Sequence, residues 1–368
     1  MSQPVTLPKW VDLALAPALN VATAFAISAL VVLAIGENPV AALRALVAGS
    51  LGSWEGLGFT LYYATNFIFT GLAVALAYRA GLFNIGGEGQ AYVAGLGAAL
   101  VCLHLDFLPA ILLIPAGIAG AAAFGAAWAL LPAWLQARRG SHIVITTIMF
   151  NWLATTLLAY LLVNVLREPQ SMQPETRVFV PAAKVPQLHD MAAGLGLKLP
   201  ATPLNLSFFL ALVCAGLVWL LLWRTRLGYE IRTVGISPTA AQYAGISNAR
   251  IIMIAMALSG ALCGGLAVNE IMGVQNRLLL EFTSGYGFVG IAVALMGRAH
   301  PVGVVLAALL FGMLYQGGTE LAFDQPKITR DMIVVIQGLV VLFAGALEGV
   351  FRKPLARLFS PRPAATTT

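Results

Sequence analysis

The chain has 368 residues, 60% apolar and only 10% charged, with a mean hydropathy of +0.87. A soluble domain carries about 25% charged residues, so a cytosolic globular enzyme is excluded, and the apolar content excludes a disordered chain. The net charge of +6, from 21 Lys+Arg against 15 Asp+Glu, reads as membrane topology rather than a nucleic-acid surface, because basic residues gather on the cytoplasmic side.

A spanning helix needs about 20 mostly apolar residues. Ten segments qualify or nearly qualify: Val11–Ile35, Gly56–Ala77, Gly86–Leu103, Leu108–Leu135, Ile143–Leu166, Leu204–Trp223, Ile251–Met272, Phe288–Gly297, Val302–Gly318 and Asp331–Phe351. The first is too long for a signal-peptide core and lacks a small-x-small cleavage site near Gly36, so it reads as an uncleaved span. The eighth is too short to span unless it is a broken helix. The predicted fold is all-α: one polytopic transmembrane helix bundle over residues 1–368, with about ten spans. With the N-terminus inside, 13 Lys+Arg fall on the cytoplasmic side and 8 outside, four of those 8 in one long loop that counts less. Both termini, including a tail over 352–368, are therefore expected in the cytoplasm.

In chain order, the second span carries Phe59, Tyr62 and Asn66 along one side. An aromatic ring beside an amide can stack on and hydrogen-bond a nucleobase, but Tyr62 also fits an interfacial aromatic belt. Next comes Gly81-Leu-Phe-Asn-Ile-Gly-Gly-Glu-Gly-Gln90. Four glycines and three polar side chains at membrane depth are tolerated only where the backbone is buried in protein or lines a cavity. Asn84 can cap a helix starting near Gly86, with Glu88 in its positive first turn. Asn84, Glu88 and Gln90 either border a transport path or serve a close-packed structural re-entry. Span five places Thr147, Asn151 and Thr155 at i, i+4 and i+8. Such a stripe either joins helices by hydrogen bonds or lines a pore.

Two polar segments follow. Arg167–Pro203, rich in Pro and Gln, is the expected extracytoplasmic loop. Arg224–Arg250 is the expected cytoplasmic loop, and within it Ser237–Pro238 is a helix start, an N-cap hydroxyl followed by a residue that needs no N–H. Ala240 and Ala241 continue that short helix and Gly245 ends it. Beyond span seven, Glu281-Phe-Thr-Ser-Gly-Tyr-Gly-Phe288 reads as a break before a half-helix.

Other chemistries lack their residues. Three scattered cysteines form no CxxC pair and four isolated histidines form no HExxH, so no metal site or cofactor is expected. No lysine follows a glycine, so there is no phosphate-binding Gly-x-x-x-x-Gly-Lys loop, and any ATP must be bound by another chain. Ionisable groups at membrane depth are nearly confined to Glu88 and Glu270, which argues against ion-coupled secondary transport. No Ser/His dyad or aspartate pair supports an intramembrane enzyme.

The segments Gly81–Gln90, Thr146–Asn151, Gly228–Ile246 and Gly285–Gly297, in this order, resemble permease subunits of bacterial ABC importers. The superfamily is that of ribose and branched-chain amino acid permeases, and the nucleoside-type branch is the nearest. The Gly-x-x-Asp-Leu-Ser-x-Gly pattern of simple-sugar members is absent. Ser237 stands where the family commonly has Asn, and Thr239-Ala240-Ala241…Gly245 lacks the acid of another importer class. The resemblance implies an inner-membrane transport subunit with no catalytic residues. It implies a separate ATP-binding subunit docking on the cytoplasmic loop through Arg232, Gly235, Pro238, Ala240, Ala241 and Gly245. An extracytoplasmic binding protein would deliver a nucleoside or related solute, and a second homologous permease would complete a heterodimer. Sugars or amino acids are the alternative cargo.

Overall fold

The computed structural model describes residues 15–34, 36–169, 171–194 and 196–324, with residues 8, 11, 335, 338 and 339. The expected tenth span, Asp331–Phe351, and the 352–368 tail lie outside the described residues. Among those described, helix dominates and no strand forms.

The helices are α1 (Ala16–Ala34), α2 (Pro39–Leu51), α3 (Trp54–Arg79), α4 (Gly87–His104), α5 (Ala110–Arg139), α6 (Ile143–Asn164), α7 (Leu188–Gly194), α8 (Ser207–Arg224), α9 (Arg226–Ile236), α10 (Pro238–Tyr243), α11 (Asn248–Ala267), α12 (Tyr286–Met296) and α13 (Pro301–Asp324). A π-helical segment, Val268–Gln275, continues α11, where the sequence predicted an unbroken span. Further helices went unpredicted, among them α7 within the expected 167–203 loop. The α2 segment falls outside every predicted span, with Gly36 and Asn38 before it and Pro39 at its start, and α9 reads as loop because its charges mask an amphipathic stripe of Ile231 and Val234, both buried.

Among the described residues, six helices are long and apolar enough to cross a membrane, or seven if the bent pair Ala22–Ala34 and Pro39–Leu51 (119°) counts as one span. This is a multi-pass membrane protein. The 11-residue α12 is about 16 Å long, half a bilayer.

The chain forms two compact units. The smaller combines residues 1–49 and 317–368. In it Val32, Ala42 and Leu321 are buried together, with Ala45 and Ala322 against them.

The larger unit, Ser50–Gln316, is built around α3. Of the apolar stretch of α3, 83% is buried, against 22% in α5 and 28% in α6 and α8. The last three turn Ile111, Trp152 and Leu217 outward, as lipid-facing helices do. Ser53 begins α3 by accepting a hydrogen bond from the Gly56 N–H at 2.9 Å.

Glycines let the backbones of α5 and α11 approach closely, the small-residue packing that membrane helices use. A Cβ on Gly260 would strike the Gly125 carbonyl, and one on Gly125 would strike that of Gly260. Gly260→Ala is therefore expected to destabilise the bundle by about 1–3 kcal/mol, read as a lower unfolding temperature in detergent. An unchanged unfolding temperature would show that the crossing relaxes freely.

Candidate functional site

Two buried carboxylates organise the centre of the larger unit. Glu270 sits on the π-helical segment, a geometry frequent at functional positions. Its Oε1 accepts hydrogen bonds from the Tyr62 hydroxyl and the Asn66 amide, both at 2.6 Å. The Asn66 Oδ1 accepts from Asn269 Nδ2 at 2.9 Å, and the Asn269 Oδ1 accepts from Asn205 Nδ2 at 2.9 Å. Tyr62 lies eight residues into α3, about 12 Å from its N-terminal end, so this chain of polar groups is well inside the bundle. All five residues are buried.

Aromatic rings stand beside it. Tyr62 and Tyr63 have centroids 5.2 Å apart, and Phe67 packs edge-on to Tyr315 at 4.9 Å and to Tyr286 at 5.5 Å. Phe59, one turn before Tyr63, is half-buried and takes no part in these ring contacts among the described residues.

Glu88 organises the second cluster. The break predicted before the half-helix is present, with left-handed backbone at Glu281, Ser284 and Gly285. Glu88 Oε1 accepts from the Thr283 hydroxyl and from the Gly285 N–H at 3.0 Å; its Oε2 accepts from the Gly287 N–H at 2.8 Å. The carboxylate thus lies in the first turn of α4 and caps the start of α12, satisfying donors that a helix N-terminus leaves free. The close approach needs Gly287, since a Cβ there would meet the Glu88 backbone.

The residues around Glu88 hold a non-helical stretch, 82–85, in place. Asn84 Oδ1 accepts from the Gly86 N–H at 2.9 Å, and Asn84 Nδ2 donates to Ser259 Oγ at 2.9 Å and to Gln90 Oε1 at 3.1 Å. Asn151 reaches across from α6, accepting from the Gly89 N–H at 2.9 Å and donating to the Ile85 carbonyl at 3.0 Å. Asn84, Glu88, Gln90 and Asn151 therefore meet in one region. Thr147 and Thr155 instead bond back to the Ile143 and Asn151 carbonyls of their own helix, at 2.8 and 3.1 Å. Asn66 and Tyr62 belong to the Glu270 cluster. Sequence reading missed Glu270, Asn269, Asn205 and Thr283 as site residues. The usable signal was an Asn-Glu pair inside an otherwise apolar run.

The two polar segments flank α8. The 167–203 loop is tied to the π-helical segment and the residues that follow it. Glu175 pairs with Arg277 at 2.8 Å, the Phe179 N–H donates to the Asn276 carbonyl at 2.7 Å, and the Val185 N–H donates to that of Met272 at 3.0 Å. Beyond the other end of α8, Ser237 caps α10 by accepting from the Ala240 N–H at 3.3 Å, Pro238 occupies the first helical position, and Gly245 ends the turn at φ +76°. Ala241 is fully buried against the chain itself, while Pro238, Ala240, Tyr243 and Gly245 are exposed. Gly235 packs so tightly on the end of α3 that a Cβ would strike the Arg79 carbonyl. Arg232, on the same helix, is half-buried and donates to the Gly228 carbonyl at 3.4 Å.

Arg79 also donates to the carbonyls of Ala299, at 2.9 Å, and Arg298, at 3.1 Å. Its guanidinium lies 5.3 Å from the Trp223 ring, which packs on His300. Burial, and then the Arg79 charge, hold the His300 imidazole below its usual pKa. The ends of α3, α8 and α9 and the α12–α13 turn thus share one joint.

A multi-pass helical bundle with spans broken around buried polar groups is the construction of a solute permease. The chain belongs to the family described as branched-chain amino acid transport system / permease component, matched over residues 56–345. It is 34% identical over 341 residues to a glucose ABC transporter permease protein of Haloferax volcanii, covering 92% of this chain and 88% of that protein. It is also 34% identical to the guanosine ABC transporter permease protein NupP of Bacillus subtilis, covering 90% and 93%. The nucleoside ABC transporter permease protein NupB of Lactococcus lactis is 30% identical, covering 89% and 90%. The last two organisms each have a second such relative, NupQ and NupC, at 28% and 29% identity. The chain is a permease subunit of an ABC importer for a small solute, a transport component rather than an enzyme.

Proposed function

We propose that this subunit forms, with a second homologous permease, the membrane path of an importer for nucleosides. The observation that carries the cargo class is the Tyr62–Asn66–Glu270 cluster beside the Tyr63, Phe67 and Tyr286 rings, a pairing of flat apolar faces with hydrogen-bonding groups that suits a nucleobase. The guanosine and nucleoside relatives support that reading. The pairing of relatives within one organism supports a heterodimer. Glucose is the second reading, since the Haloferax relative is equally similar.

In this account the subunit lies in the bacterial inner membrane with about ten spans and both termini in the cytoplasm. An external binding protein delivers solute to the 167–203 loop. A separate ATPase docks on the 224–250 loop, against the exposed face of α10. The path residues are Phe59, Tyr62 and Asn66 on α3, Asn84, Glu88 and Gln90 at the entry to α4, and Thr147, Asn151 and Thr155 on α6. The test is uptake by proteoliposomes holding both permeases and the ATPase, supplied with the binding protein. Labelled guanosine or uridine is expected to accumulate, with unlabelled glucose failing to compete. Glucose uptake without nucleoside uptake would overturn the nucleoside reading and favour the sugar one.

A further inference from the structure

The geometry points to Glu270 as the residue that reads the base, through a base edge that presents an N–H donor to its Oε2, such as the N1–H of guanine. This rests on the nucleoside reading above and assigns chemistry within it. Only one oxygen of the carboxylate is engaged: Oε1 accepts from Tyr62 and Asn66, and Oε2 accepts nothing among the described residues. The residue is 3% exposed, and among the described residues no Lys, Arg or His lies within ion-pair distance of it. A buried carboxylate is normally paired or fully hydrogen-bonded. This one keeps acceptor capacity without a cation, and in that state it is suited to a neutral donor.

The surroundings fix its orientation. Asn269 holds Asn66, Asn205 holds Asn269, and the Asn205 Oδ1 in turn accepts from the Ser207 N–H at 2.9 Å. The carboxylate therefore sits in a braced row of amides, beside rings that can take a flat base. A base with an acceptor at the edge facing Oε2, such as N1 of adenine, meets a lone pair instead of a proton. A buried donor that loses its acceptor bears the full cost of its desolvation, so losing this bond has a large effect.

The test compares Glu270→Gln with the wild type in the complete importer, using one binding protein throughout. Initial uptake of guanosine is expected to fall about tenfold or more relative to adenosine. A folded E270Q importer that keeps the wild-type ratio of guanosine to adenosine uptake overturns the assignment, as does an equal loss of both. Should E270Q fail to assemble, wild-type importer is tested with 1-methylguanosine, the binding protein's own preference being measured separately and divided out. Rejection of the methylated base by the membrane complex supports the assignment, and acceptance overturns it. If the wild type carries no nucleoside at all, it is the nucleoside reading that fails.

Discussion

Glu88→Ala is expected to lower the unfolding temperature of the purified complex and to abolish uptake. The substitution removes the shared acceptor of three donors: the buried Thr283 hydroxyl, the half-buried Gly285 N–H and the buried Gly287 N–H. An orphaned buried donor costs about 1–3 kcal/mol, the effect expected of the Gly287 N–H alone, and the other two donors add to it. The Thr283 hydroxyl keeps a hydrogen bond with Tyr92, whereas Gly287 packs directly on the Glu88 backbone. The half-helix α12 would then lose the group that fixes its start. Glu88→Gln keeps the shape and one acceptor oxygen but loses the charge favoured at a helix N-terminus, so it should fall between alanine and the wild type. Wild-type stability and uptake in the alanine variant would remove Glu88 from the account.

The second large effect concerns the joint between the arm and the bundle. Gly235→Leu is expected to leave the complex assembled and hydrolysing ATP while uptake drops about a hundredfold. Gly235 on α9 lies against the Arg79 carbonyl and against Gly81, itself held at φ +74°. From Gly81 the chain runs directly into the non-helical stretch held by Asn84, Gln90 and Asn151, and then to Glu88. A leucine side chain cannot fit between two backbones, so α9 must lift from α3 and the arm's movement no longer reaches α4. Exposed Ala240 on α10 provides the contrast: Ala240→Glu should weaken attachment of the ATPase itself, read as loss of that subunit on purification. Normal uptake in the Gly235 variant would mean that force reaches the bundle elsewhere.

Local signals were legible in the sequence. Ser237, Pro238 and Gly245 fix α10 through capping, helix-start and left-handed turn chemistry, each decided by one or two residues. The glycine-rich entry to α4 and the break before α12 were equally readable, because polar groups and glycines at membrane depth need an explanation. The Glu270 cluster was not legible in the same way. Glu270 lies 204 residues from Asn66 and 208 from Tyr62, and nothing in the local pattern of α3 names its partner. The π-helical turn was hidden for a similar reason, since its apolar pattern differs little from that of an α-helix. The face of Ala241 depended on tertiary packing too: the sequence offered it to a partner subunit, and the fold buries it.

The central claim is that the subunit is a passive gate moved by an ATPase through its α9–α10 arm. Labelled guanosine uptake by proteoliposomes containing both permeases, with and without the ATPase subunit and ATP, tests it most directly. Accumulation above the outside concentration only when ATPase, ATP and binding protein are all present is the predicted result. Accumulation by the permease subunits alone, driven by an imposed ion gradient, would contradict it.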